Sequence, residues 1–129
     1  VREPDRADGE VVRQQALRNP PHGDGMQEPL VTPWIDPVPP TQSALWQLMA
    51  NEGLSPYSWS NGPFDTYSAH SHSYDKVIYV VQGSITFGLP ELVKQLTLKA
   101  GDRLDLPAGV VHNAHVGAHG VTCLEAHKD

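Results

Sequence analysis

Cysteine is almost missing from this chain: Cys123 is the only one among 129 residues. No internal disulfide can close, and no cysteine framework for zinc exists. Long apolar runs are missing as well, since none approaches the roughly 20 residues that cross a bilayer. Basic residues are few. Nine Lys and Arg against fifteen Asp and Glu give a formal net charge of −6, which argues against gripping nucleic acid or an anionic membrane through charge. No G-x-S-x-G, P-loop or G-x-G-x-x-G pattern occurs, so serine hydrolysis, nucleotide cradling and dinucleotide binding have no support. The charged, Pro-rich opening resembles neither a signal peptide nor an Arg/Ser-rich transit peptide. The expectation is a cytoplasmic protein whose partner is a small molecule, with no nucleic acid and no membrane.

Proline and glycine are plentiful. Twelve Pro and eleven Gly divide the chain into short pieces, which disfavours a long-helix bundle and favours one domain of many short strands. Residues 1–30 hold ten of the 24 charged side chains and no aromatic residue. Such a stretch buries too little apolar surface to offset its ordering entropy, so 1–28 is expected to be a flexible or borrowed arm. Pro29 to Pro40 extends it, read as an extended arm rather than a ladder strand because proline withholds amide donors. The expected division is an arm over 1–40 and a β domain over 41–129.

One short helix follows, capped by Thr41, with Ala44, Leu45, Leu48 and Met49 as its apolar face and Gly53 at its left-handed end. From Leu54 onward the pattern is β. Strands are expected over Phe64 to His72, Val77 to Val81 and Ser84 to Phe87, with turns at Asn61-Gly62-Pro63, Gln82-Gly83, Gly88 to Glu91, Gly101-Asp102, Pro107 to Gly109 and Gly117 to Gly120. Turns every eight to twelve residues suit a sandwich or barrel.

Two stretches carry candidate chemistry. In His70-Ser71-His72, residues two apart on a strand point the same way, so both imidazoles can grip one first-row metal ion. In the second, Gly101 to His112, a Pro107-Ala108-Gly109 reversal delivers His112 on a returning strand. Next to the first stretch, it would supply a third imidazole.

Spaced in this way, the chain resembles the cupins, whose motifs run G-x5-H-x-H-x3,4-E-x6-G and G-x5-P-x-G-x2-H-x3-N. His70, His72 and Gly83 match the first motif in register, and Gly101, Pro107, Gly109 and His112 match the second. The resemblance spans roughly residues 54–127 and implies an all-β fold: an antiparallel jelly-roll β-barrel with an N-terminal extended arm and one short helix. It also implies metal ligands at His70, His72 and His112, and a homodimer built by sharing N-terminal strands. Three positions depart from the pattern. Phe64 and Val116 stand at the leading glycine and closing asparagine, and Lys76 stands where the motif has its acidic ligand. Asp75 is one residue away, but a one-residue shift points to the opposite face unless a bulge re-aims it.

Lys76 is therefore the candidate catalytic residue, orienting an anionic group or moving a proton. It has three options: to swing outward onto a carboxylate, to lose its proton in a buried pocket, or to replace the metal's charge altogether. Three-histidine sites lacking the glutamate resemble those of thiol and diketone-cleaving dioxygenases. The implied cofactor is a divalent transition metal, Fe, Mn, Ni or Zn. The implied function is a metal-dependent enzyme, an oxidoreductase of dioxygenase type or an isomerase, acting on a small anionic, oxygen-chelating substrate. The alternative is a non-catalytic, metal-free small-molecule-binding or sensory module. Elsewhere, Glu125 is a candidate extra acceptor or ligand, Cys123 a buried structural thiol, and Tyr67, Tyr79, Trp59 and Phe87 core. His115 is expected at the rim, His119 in solvent, and His22 and His127 without a role.

Overall fold

The computed structural model describes residues 28–128, so His22 and nearly all of the expected 1–28 arm lie outside the described residues. In chain order come β1 (Leu30–Thr32), α1 (Gln42–Asn51), β2 (Tyr57–Asn61), β3 (Thr66–His70), β4 (Asp75–Leu89), β5 (Lys94–Lys99), β6 (Arg103–Leu106) and β7 (His112–Lys128). Every strand pair is antiparallel.

Two long strands, β4 and β7, pair along their whole length and change partners halfway. Residues 76–79 of β4 take β6, and residues 84–89 take β5. Likewise β7 takes β3 near residues 112–115 and β2 over residues 121–125. This gives a path β1-β6-β4-β7-β2 with β3 and β5 completing the other end, a jelly-roll arrangement whose sheet does not close on itself. Inward side chains from both ends, including Ile78, Val80, Phe87, Leu98, Leu104, Ala114 and Cys123, form one core.

The change of partner happens at bends in β4 and β7. Register breaks fall between Val80 and Gln82 and between Gly83 and Ile85, where the extra residues sharpen the local bend. Gly83 has φ +83° and Gly120 φ +78°. A Cβ on Gly83 would lie 2.0 Å from the Gly120 carbonyl oxygen, so β4 and β7 can touch there only through glycine. The turns expected at Gln82-Gly83 and at Gly117 to Gly120 are thus corners within continuous strands. A positive-φ glycine serves a bend as well as a reversal.

Alternate residues of the same strands face outward onto the helix. Val77, Tyr79, Leu124 and Ala126 pack against Leu45 and Met49 in a second cluster. The helix is capped as expected: Thr41 Oγ1 accepts from the Ala44 amide at 3.1 Å, and Gly53 takes φ +81°. Its buried face is narrower than expected, since only Leu45 and Met49 are buried while Ala44 and Leu48 are exposed.

The reading of Pro29 to Pro40 as free of ladder pairing is corrected by β1, which pairs with β6 from Leu30↔Asp105 to Thr32↔Arg103. Prolines 29 and 33 flank the three paired residues rather than interrupt them, which is where an edge strand tolerates proline. Just beyond, the Trp34 amide donates to buried Asp102 at 2.9 Å. The Trp34 ring leaves no room for a side chain at Gly101, where a Cβ would meet it at 2.4 Å.

Candidate metal centre

The two motif stretches meet because β3 and β7 pair with His70 opposite His112. His72 lies just past β3 rather than on it, so strand parity does not by itself place it. A clip to the second stretch does: the Gly109 amide donates to the His72 carbonyl at 2.9 Å. Asp75 adds another, its Oδ1 accepting from the Ala108 amide at 2.8 Å. The left-handed Gly109 (φ +83°) lets the Pro107-Ala108-Gly109 reversal present both amides to the first stretch.

The three rings converge. Their centroids are 4.8 Å apart for His70 and His72, 4.5 Å for His70 and His112, and 4.9 Å for His72 and His112. One ligand nitrogen from each lies within 4.8 Å of the others, a group that can hold a metal ion. His72 and His112 are buried and His70 half-buried, which leaves His70 as the member that solvent reaches.

Hydrogen bonding selects which nitrogens face inward. His70 Nδ1 lies 2.6 Å from the Ser68 carbonyl and His112 Nδ1 lies 3.0 Å from the Val110 carbonyl. A carbonyl oxygen only accepts, so each Nδ1 carries the proton and each neutral ring keeps its lone pair on Nε2. The Nε2 atoms of His72 and His112 are 3.3 Å apart. A tetrahedral ion with metal–nitrogen bonds of about 2.0–2.1 Å spaces its ligands by roughly this much. The donor set therefore fits a divalent transition metal.

Lys76 faces the same point. It is 1% exposed, on the inward-facing parity of β4 with Ile78 and Val80. It does not swing outward. Its Nζ lies 3.3 Å from His72 Nε2 and 3.3 Å from Glu125 Oε2. Asp75 points away into its clip with Ala108, as parity requires, and is not among the clustered ligands.

Glu125 is fully buried and held on several sides. The Tyr57 hydroxyl donates to Oε2 at 2.7 Å, Trp59 Nε1 donates to Oε1 at 3.0 Å, and His127 Nε2 lies 2.9 Å from Oε2. So firmly held, it serves Lys76 as an ion-pair partner, and it is not in the cluster of potential ligands. Tyr57 and Trp59 reach it because β2 pairs with β7 in the register Tyr57↔Glu125.

His127 was given no role by its sequence surroundings, yet it belongs to this shell. Its ring stacks on Tyr74 with centroids 4.1 Å apart, and Tyr74 in turn stacks on His72 at 5.5 Å. The alternation Glu125-x-His127 on one strand was the available signal; it says nothing until the facing strand is known.

The other expectations distribute plainly. Cys123 is buried, and burial together with the Glu125 charge pushes its thiol well above the ordinary range, so it packs the core and is no nucleophile. Tyr67, Tyr79 and Phe87 are buried, and Trp59 packs partly against the core. His115 and His119 are exposed.

No protein-family profile matches this sequence, and no curated protein does. Solved structures do match. The polyketide cyclase RemF from Streptomyces resistomycificus superposes with a TM-score of 0.53 at 19% identity, covering 80% of this chain and 67% of that one. A DUF861 family protein from Thermotoga maritima gives 0.51 at 16% identity, covering 76% and 97%. A cupin-2 domain protein from Shewanella frigidimarina gives 0.49 at 19% identity, covering 57% and 68%. With the strand path above, these likenesses show a shared jelly-roll fold, and the two motifs lie on it as the resemblance to the cupins implies.

Proposed function

We propose that the chain binds one divalent transition metal on the Nε2 atoms of His70, His72 and His112. With it the chain acts on a small anionic substrate that chelates through oxygen, as an enzyme of dioxygenase or isomerase type. The observation that supports this reading most is the pair of carbonyl contacts on His70 and His112, which place each ring's proton on Nδ1 within a three-histidine cluster that can hold a metal ion. When bound, the ion would supply Lewis acidity, or dioxygen activation if it is redox-active. The chain supplies the rest. Ser68 and Val110 hold the imidazole tautomers, the His70 side admits substrate, and Lys76, fixed by Glu125, offers an ammonium to an anionic group beside the ligands. The fold neighbour named as a polyketide cyclase supports a catalytic use of this scaffold, although fold alone does not determine chemistry.

One observation favours a second reading. The Lys76 ammonium already lies 3.3 Å from His72 Nε2 and can itself serve as the cation of a metal-free binding module. Elemental analysis of protein purified without chelator separates the two. Close to one Fe, Mn, Ni or Zn per chain is expected. Less than about a tenth of an ion per chain, unchanged after incubation with each metal and desalting, would favour the binding module. Metal uptake also raises thermal stability, because a ligand at 100 times its Kd adds about 2.7 kcal/mol.

A further inference from the structure

The lone pair on His72 Nε2 is claimed twice. It faces the Lys76 ammonium at 3.3 Å, and it belongs to the cluster that can hold a metal. A neutral imidazole has one such lone pair, which serves one cation at a time. A metal on His72 must displace the hydrogen bond from Lys76.

The displaced ammonium has little freedom. Its strand is paired on both sides, with Lys76 opposite Leu106 and His127. The side chain is 1% exposed and its Nζ lies 3.3 Å from Glu125 Oε2. Leaving for solvent would strip a fully buried carboxylate of its cation, which is costly. Glu125 cannot follow the ammonium, because Tyr57, Trp59 and His127 hold both its oxygens. A divalent ion adds two charges to a buried site where Lys76 and Glu125 already balance one another.

We infer that this site loads a metal and a small carboxylate cooperatively, with Lys76 as the coupling group. The N–H that His72 gives up is handed to a carboxylate oxygen next to the metal, and the same anion lowers the excess charge. This rests on the metal reading above and adds to it the substrate class, a carboxylate, together with a role for Lys76 as a positioning residue. Coupling is reciprocal, so the carboxylate also binds more tightly to the metal-loaded chain than to the metal-free one.

Calorimetric titration of the full chain with Co2+, with and without saturating formate, tests this. In the wild type, formate should tighten Co2+ binding by about fivefold or more, the lower end of ordinary coupling, and shift the visible cobalt spectrum. Lys76→Met removes both the competitor and the coupling. It should bind Co2+ roughly tenfold or more tightly than wild type without formate, because a like charge next to the ion is gone, and formate should change its affinity by less than about twofold. Lys76→Met/Glu125→Gln, which leaves no unpaired carboxylate, should behave like the single variant and guards against misfolding. Cobalt uptake with equal formate enhancement in wild type and both variants overturns the coupling and leaves the metal site standing. No cobalt uptake by any of the three overturns both.

Discussion

His112→Ala should abolish stoichiometric metal uptake, lowering affinity by about a hundredfold or more. A closed four-ligand site binds zinc with roughly 10–16 kcal/mol, so each ligand carries a few kcal/mol of it. His112 is fully buried at the start of β7, opposite His70 in the register. Among the described residues, His115 and His119 are exposed, His127 lies against Glu125, and none of the three belongs to the cluster. Equilibrium dialysis against Co2+ or Zn2+ measures the effect, with His115→Ala as the control that should bind as wild type does. Equal uptake by His112→Ala and wild type would mean that the metal sits elsewhere.

Glu125→Ala should be the most damaging single change to stability outside the apolar core. It leaves the Lys76 ammonium buried without a carboxylate and takes the acceptor from the Tyr57 hydroxyl and Trp59 Nε1. Removing one partner of a buried ion pair costs about 3–5 kcal/mol, whereas replacing both with apolar groups of similar size is often nearly neutral. Urea unfolding of Glu125→Ala and of Lys76→Met/Glu125→Leu separates these effects. The double variant should recover much of the loss, a non-additivity expected of groups in direct contact. A cost below about 1 kcal/mol for Glu125→Ala would show that the ammonium finds other partners and that Glu125 does not fix it.

The two predictions draw unequally on what could be read in advance. The spacing of His70, His72, Gly83, Gly101, Pro107, Gly109 and His112 carried the resemblance to the cupins, which implied the jelly roll and the three imidazoles, while the turn residues alone reached only a sandwich or barrel. Strand parity set Asp75 opposite the motif's acidic position, while the direction of Lys76 stayed open among three options. The environment of Lys76 was not legible. Glu125 meets it only because residues 123–126 of β7 pair with residues 77–80 of β4, a register set by bends at Gly83 and Gly120 that look like ordinary turns in sequence. Tyr57 and Trp59 were missed as partners of Glu125 for the same reason, since contacts across 66 residues or more leave no local pattern. At β1 the prolines misled: their missing amides lie outside the three residues that pair, and the seating of Trp34 on Gly101 is a tertiary contact that no local pattern announces.

The central claim is that three Nε2 atoms from distant parts of the chain form one metal site. Anomalous diffraction from crystals of the full chain grown with Co2+ or Zn2+ tests it most directly. The expected result is a single strong peak about 2.0–2.1 Å from Nε2 of His70, His72 and His112. A peak bound by only one of them, or an ordered Lys76 ammonium and no metal at that point, would contradict it.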